Sequence, residues 1–136
     1  MGTVEAMLDT TKDIHVIRDA TRGGVGTVLY EIAGQSHVGI HLDSQAIPVD
    51  PAVRGVCGML GLEPLYLACE GRLVIFAPKA VAGDIVATLR QGKYSKDAAI
   101  IGEVTADQPG RVIMRTEIGA ETLLPPPGGE LLPRIC

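Results

Sequence analysis

Three short stretches of this 136-residue chain carry residue types that do chemistry. The first is Asp19-Ala-Thr-Arg-Gly-Gly-Val-Gly26. Glycines just ahead of a helix let backbone N–H groups face an anion, and the helix dipole favours negative charge at that end. Thr21 can cap and Arg22 can supply a cation. The pattern is not a Walker A loop, since no Gly-Lys-Ser/Thr follows. Nor is it a dinucleotide fingerprint, since Leu29 stands where the last glycine belongs. On residue types alone it reads equally as an anion cradle or as a tight turn capped by Asp19 or Thr21. The second stretch is Cys69-Glu70-Gly71-Arg72. A carboxylate beside a glycine turn can be a general base, and it can equally be a solvated turn residue. The third is Pro125–Cys136, which finishes Pro133-Arg134-Ile135-Cys136. A terminal thiol has little to pack against and is open to reaction, because the thiolate is the nucleophile. Arg134 favours that thiolate and the terminal carboxylate opposes it. The stretch is either a frayed end with a stray cysteine or an arm built to carry sulfur. Extended, it would reach on the order of 40 Å.

Apolar spacing predicts the elements that hold these stretches. Val4, Met7 and Leu8 mark a helix, and Ile14 to Ile17 a short strand that runs into the 18–26 loop. Val28, Leu29, Ile32 and Ala33 mark a helix expected to stop at Gly34. Val38, Ile40 and Leu42 alternate as in a strand. Pro51 suits a first helical turn, and Val53, Val56, Cys57 and Leu60 follow at helical spacing up to Gly61. Leu73 to Phe76 reads as a strand, and Val81, Ile85, Val86 and Leu89 as a helix after Pro78. Ala98–Val104 and Arg111–Thr116 read as a late hairpin joined through Asp107, Pro109 and Gly110, with Leu123-Leu124 ending a last strand. The expected organisation is a domain over residues 1–124 and a flexible tail over 125–136.

Composition narrows the class. Hydrophobic residues make up 46% and charged residues 21%, and a chain this long buries roughly 68% of its unfolded surface, enough for a core without staples. Aromatics are three Tyr, one Phe and no Trp, so Val, Ile, Leu and Ala must build that core. A net charge of −4 with no basic run argues against nucleic acid or an anionic membrane surface as partner. Cys57, Cys69 and Cys136 are odd in number and widely spaced, and His15, His37 and His41 do not join them at metal-ligand spacing, so no metal site is expected. Cys57 lies on an apolar helix face and reads as core. No apolar run is long enough to span a bilayer, and the cytoplasm is the expected compartment. The chain opens part-way into an amphipathic helix, so more protein is expected upstream.

Taken together, Arg18-Asp-Ala-Thr-Arg-Gly-Gly24, Leu60-Gly-Leu-Glu-Pro-Leu-Tyr66, Glu70-Gly71, Ala98-Ala-Ile-Ile-Gly-Glu-Val104 and Pro133-Arg-Ile-Cys136 resemble the C-terminal half of the HypE family. These are hydrogenase maturation proteins of the PurM-like ATP-binding superfamily. The resemblance runs from about residue 3 to 136. The Asp-x-Thr-Arg-Gly-Gly element alone speaks only for the superfamily, and the Pro-Arg-Ile-Cys ending for the HypE family.

The resemblance implies an α+β fold, a mixed β-sheet with helices packed against it. It implies an ATP-dependent carbamoyl-cysteine dehydratase. HypF places a carbamoyl group on the terminal cysteine, ATP drives its dehydration to a thiocyanate, and the cyano group passes to iron on the HypC–HypD complex. Carried over, Cys136 is the carrier and Glu70 the base. Asp19, Thr21, Arg22, Gly23 and Gly24 lie near the nucleotide phosphates. Two departures stand out. Cys69 replaces the asparagine usual before Glu-Gly. The N-terminal half, which supplies most ATP and magnesium ligands and the dimer interface in the superfamily, is missing, so residues 1–136 alone are expected not to bind ATP productively. Two alternatives remain open: another PurM-like ATP-dependent synthetase domain, or a docking module presenting a modifiable tail.

Overall fold

The structure is a computed structural model and describes residues 2–68 and 71–127. The elements run α1 (Gly2–Thr10), β1 (Val16–Asp19), α2 (Gly24–Ser36), β2 (Gly39–Asp43), α3 (Pro51–Leu60), a 3₁₀ turn (Pro64–Tyr66), β3 (Leu73–Phe76), α4 (Lys79–Arg90), β4 (Gly102–Thr105), β5 (Val112–Arg115) and β6 (Glu121–Leu123). The result is an α+β domain, as expected.

β1 and β3 form an antiparallel ribbon with Val16 opposite Phe76 and Asp19 opposite Leu73. Side chains alternate across a strand, and here the alternation divides two cores. Val16, Val74 and Phe76 pack with α2, β2 and β5, around Val28, Leu29, Ile32, Ile40, Leu42 and Val112. Ile17, Ile75 and Ala77 pack on the other side with α1 and α4, around Met7, Ile85 and Leu89. Branched aliphatics and alanine build nearly all of both cores.

The second sheet has the order β4-β2-β5-β6. This corrects the expected hairpin. β4 and β5 do not pair with each other, because β2 lies between them, antiparallel to β4 and parallel to β5. β2 buries Ile40 and Leu42, and a strand so apolar gains most from the centre of a sheet. The 105–110 connection is longer than a two-residue hairpin turn and can step over a strand, a crossing of about 10 Å. The hairpin that does form joins β5 to β6, with Ile113 opposite Leu123.

Two boundaries also move. The Arg18-Asp19 pair belongs to β1 rather than to a loop, since β3 supplies partners through Asp19. α2 begins at Gly24 and passes through Gly34 to Ser36, where His37 in the left-handed region caps it through the Ala33 carbonyl. α3 starts and stops as read: the Asp50 carboxylate accepts from the Ala52 N–H, and Gly61 ends the helix with a left-handed turn. Cys57 is buried on α3, as its spacing implied. Among the described residues no helix is long and apolar enough to cross a membrane.

Candidate functional site

β1 delivers the chain to the start of α2, and the glycine-rich stretch makes that joint. Gly23 stands at the helix N-cap with φ 75°, and Gly24 follows at φ 64°. Only glycine occupies consecutive left-handed positions without strain. No side chain caps the helix. The turn capped by Asp19 or Thr21 that residue types allowed is therefore not formed, and the first N–H groups of α2 are left without an intrahelical partner. Asp19, Thr21 and Arg22 are all exposed, and among the described residues none of their side chains makes a hydrogen bond or ion pair. Asp19, Thr21 and Arg22 thus put a carboxylate, a hydroxyl and a guanidinium in solvent beside the joint, while Gly23 is half-buried and Gly24 buried.

The glycines also serve packing. A Cβ on Gly24 would lie 2.4 Å from the Leu67 carbonyl oxygen and 2.5 Å from that of Leu65. On Gly26 it would lie 2.7 Å from the Tyr66 ring. The 62–67 segment thus sits directly against the first turn of α2. Its own shape is set by Glu63, whose carboxylate accepts from the Leu65 N–H at 3.3 Å and caps the 3₁₀ turn.

Two further segments converge here. The Ala20 N–H donates to the Arg72 carbonyl at 2.9 Å, which brings the start of β3 beside the loop. After β6, Leu124 is buried and its N–H donates to the Val112 carbonyl. The Tyr30 hydroxyl donates to the Leu124 carbonyl, and the Tyr66 hydroxyl to the Pro125 carbonyl. Burial pushes the Tyr30 phenol up. Burial, with Tyr30 and Glu63 nearby, pushes Tyr66 up to about 12. Both phenols stay protonated at neutral pH and act as donors.

Of the residues singled out in the sequence, Asp19, Thr21, Arg22, Gly23 and Gly24 form one joint. Glu70 and Cys136 lie outside the described residues, though Gly71, Arg72 and Pro125 are at the site's edge. Sequence reasoning missed Tyr30, and it quoted Tyr66 without a role. The available signal was scarcity, since the chain has only three tyrosines. A cavity of about 240 Å³ lies elsewhere, lined by Ser44, Arg54, Cys57, Leu65 and Met114 among others. None of the five joint residues lines it.

Comparison with known proteins bears on the family and the fold. Residues 2–115 match the family described as AIR synthase related protein, C-terminal domain. The carbamoyl dehydratase HypE of Azotobacter vinelandii is 44% identical over 135 residues, covering 99% of this chain and 40% of that protein. The chain thus spans about 40% of the length of this curated relative. A crystal structure of the hydrogenase maturation protein HypE in complex with ATP superposes with a TM-score of 0.87 at 45% identity, covering 98% of this chain and 41% of that one. A HypE–HypF complex superposes with a TM-score of 0.87 at 36% identity, covering 93% and 41%. This chain belongs to the family of AIR synthase related protein C-terminal domains.

Proposed function

We propose that the chain is the C-terminal domain of a HypE-type carbamoyl-cysteine dehydratase, with Cys136 as the carrier. The observation that carries this reading is the root of the tail. Leu124 and Pro125 are held against α2 and the 64–66 turn, so the arm ending in Cys136 leaves from beside the joint that fits an anion. The similarity to carbamoyl dehydratases over 99% of the chain supports the same reading.

In the proposed reaction the Cys136 thiolate, its proton lost to solvent, attacks the carbonyl carbon of an activated carbamoyl donor presented by HypF. The S–C bond forms as the donor's C–O bond to its phosphate leaving group breaks, giving R–S–C(=O)–NH2 and releasing that phosphate on HypF. ATP, when bound, turns the carbamoyl oxygen into a phosphate leaving group. Two N–H protons must then leave as the C≡N bond forms, giving R–S–C≡N, ADP and phosphate. Glu70 is the proposed base, taking one proton at a time and passing the first to solvent or the departing phosphate before it takes the second, a role typically worth about 10²–10⁴-fold. The joint fits the phosphate side of the nucleotide. An uncapped helix start favours an anion, and Arg22 is free among the described residues to pair with one. Asp19, Thr21, Gly23 and Gly24 complete the joint. Magnesium and most ATP ligands belong, on this reading, to a preceding domain, as does a homodimer interface. The cyano group then passes to the HypC–HypD complex. A reduced thiol is required throughout, which suits the cytoplasm.

The test is intact mass and peptide mapping after incubation with HypF, carbamoyl phosphate and ATP. One carbamoyl group on Cys136, absent in Cys136→Ser, is expected. An unmodified Cys136 in the full-length protein overturns the assignment.

A further inference from the structure

We propose that Tyr30 and Tyr66 are positioning residues that fix the pivot of the carrier arm; the inference rests on the carrier reading of Cys136. Their hydroxyls take the carbonyls of two consecutive residues, Leu124 and Pro125. Pro125 has no N–H, so its carbonyl is the only backbone group by which it can be held. Leu124 is fixed three ways, through its buried side chain, its N–H to Val112 and its carbonyl to Tyr30. These two bonds therefore set the direction in which the chain leaves Pro125.

The pivot is tied to the joint by one helix. Tyr30 lies on α2, the helix whose first residue is Gly24. Six residues of α-helix rise about 9 Å. Tyr66 is seated on the same helix, because the missing Cβ of Gly26 makes room for its ring. Joint and pivot therefore cannot drift apart. Residues 126–136 can span at most about 35–40 Å, the contour length of eleven residues. Such a tether holds its end near a site about 10 Å away at an effective concentration in the millimolar range. A pivot free to swing would dilute the sulfur over wrong directions. Reaching out to a partner protein makes no such demand, since the partner can meet the arm wherever it points.

The test uses the Tyr30→Phe/Tyr66→Phe double variant of the full-length protein, which removes two oxygens and leaves both rings. Cys136 is carbamoylated by HypF, ATP is added, and the single-turnover rate of thiocyanate formation is followed by mass. That rate is expected to fall about fivefold per hydroxyl, the factor an ordinary hydrogen bond is worth. The KM for ATP and the rate of carbamoylation are expected to change less than about twofold. Dehydration at the wild-type rate overturns the proposal, and so does an equal fall in both steps, which marks a merely structural defect. The clasp has a readout of its own: exchange of the Leu124 amide should quicken in the double variant while the thermal midpoint stays near wild type. If wild-type Cys136 takes no carbamoyl group, the carrier reading fails by itself. Unchanged Leu124 protection then overturns the clasp as well.

Discussion

Alanine at Gly24 and alanine at Gly34 are the same chemical change on the same helix, and they should have opposite signs. At Gly24 the backbone has φ 64°, and a left-handed alanine costs about 1–2 kcal/mol. Its Cβ would also lie 2.4 Å and 2.5 Å from two backbone carbonyl oxygens, those of Leu67 and Leu65. Backbone cannot rotate aside as a side chain can, so the whole 64–67 segment must shift. Overpacking of that kind costs about 1–3 kcal/mol. The sum, about 2–5 kcal/mol, is a large share of the 5–15 kcal/mol by which domains are stable. For 136 residues it lowers the thermal midpoint by on the order of 10 °C. Gly34 is exposed in the body of α2 with nothing near its missing Cβ. Alanine there should stabilise by about 0.5–1 kcal/mol, raising the midpoint by about 2–3 °C. Thermal unfolding followed by circular dichroism, with a calorimetric check for two-state behaviour, reads both. Midpoints within about 3 °C of each other would refute the claim that the glycine joint exists for close packing of the 64–67 segment.

Three further outcomes follow from the same geometry. Asp50→Ala removes the 2.8 Å cap on α3 and should cost about 1 kcal/mol, read as a shift in the urea midpoint. Tyr66 resists ionisation to about pH 12 when folded, against 10 when unfolded. The stability this carries is complete below pH 10 and is lost as pH rises through 12; phenolate absorbance should show a late-titrating tyrosine that Tyr66→Phe abolishes. The Arg18–Glu31 ion pair is short at 2.6 Å but sits among side chains about two-fifths exposed. Glu31→Gln should therefore change stability by less than about 1 kcal/mol, and by nothing measurable in high salt; a larger loss in chemical denaturation would show that pair to matter more than its exposure allows.

The local sequence determined most of the elements and both ends of α3, because each depended on neighbours in the chain. Asp50 before Pro51 starts that helix and Gly61 stops it, through bonds spanning a few residues. The apolar spacing of α1, α2 and α4 and the strand at 73–76 were legible for the same reason. Residues 19–24 were legible as a glycine-rich joint before an apolar helix, but residue types left an anion cradle and a capped turn equally open, and only the folded chain shows that no side chain caps α2.

Tertiary structure alone decided which strand lies beside which. Nothing between Val104 and Arg111 announces that β2, sixty residues earlier by position, fills the gap between β4 and β5. A central strand is chosen by burying Ile40 and Leu42 on one face while β4 and β5 pair both of its edges, which is a property of the whole sheet. It also decided what the glycines are for. Sequence gave them conformational freedom; only the folded chain brings the Leu65 and Leu67 carbonyls and the Tyr66 ring within reach of their missing Cβ atoms. The tyrosine clasp was illegible for the same reason. Tyr30 and Leu124 stand 94 positions apart, Tyr66 and Pro125 stand 59 apart, and a hydrogen bond across such a gap exists only once the core around α2 has packed.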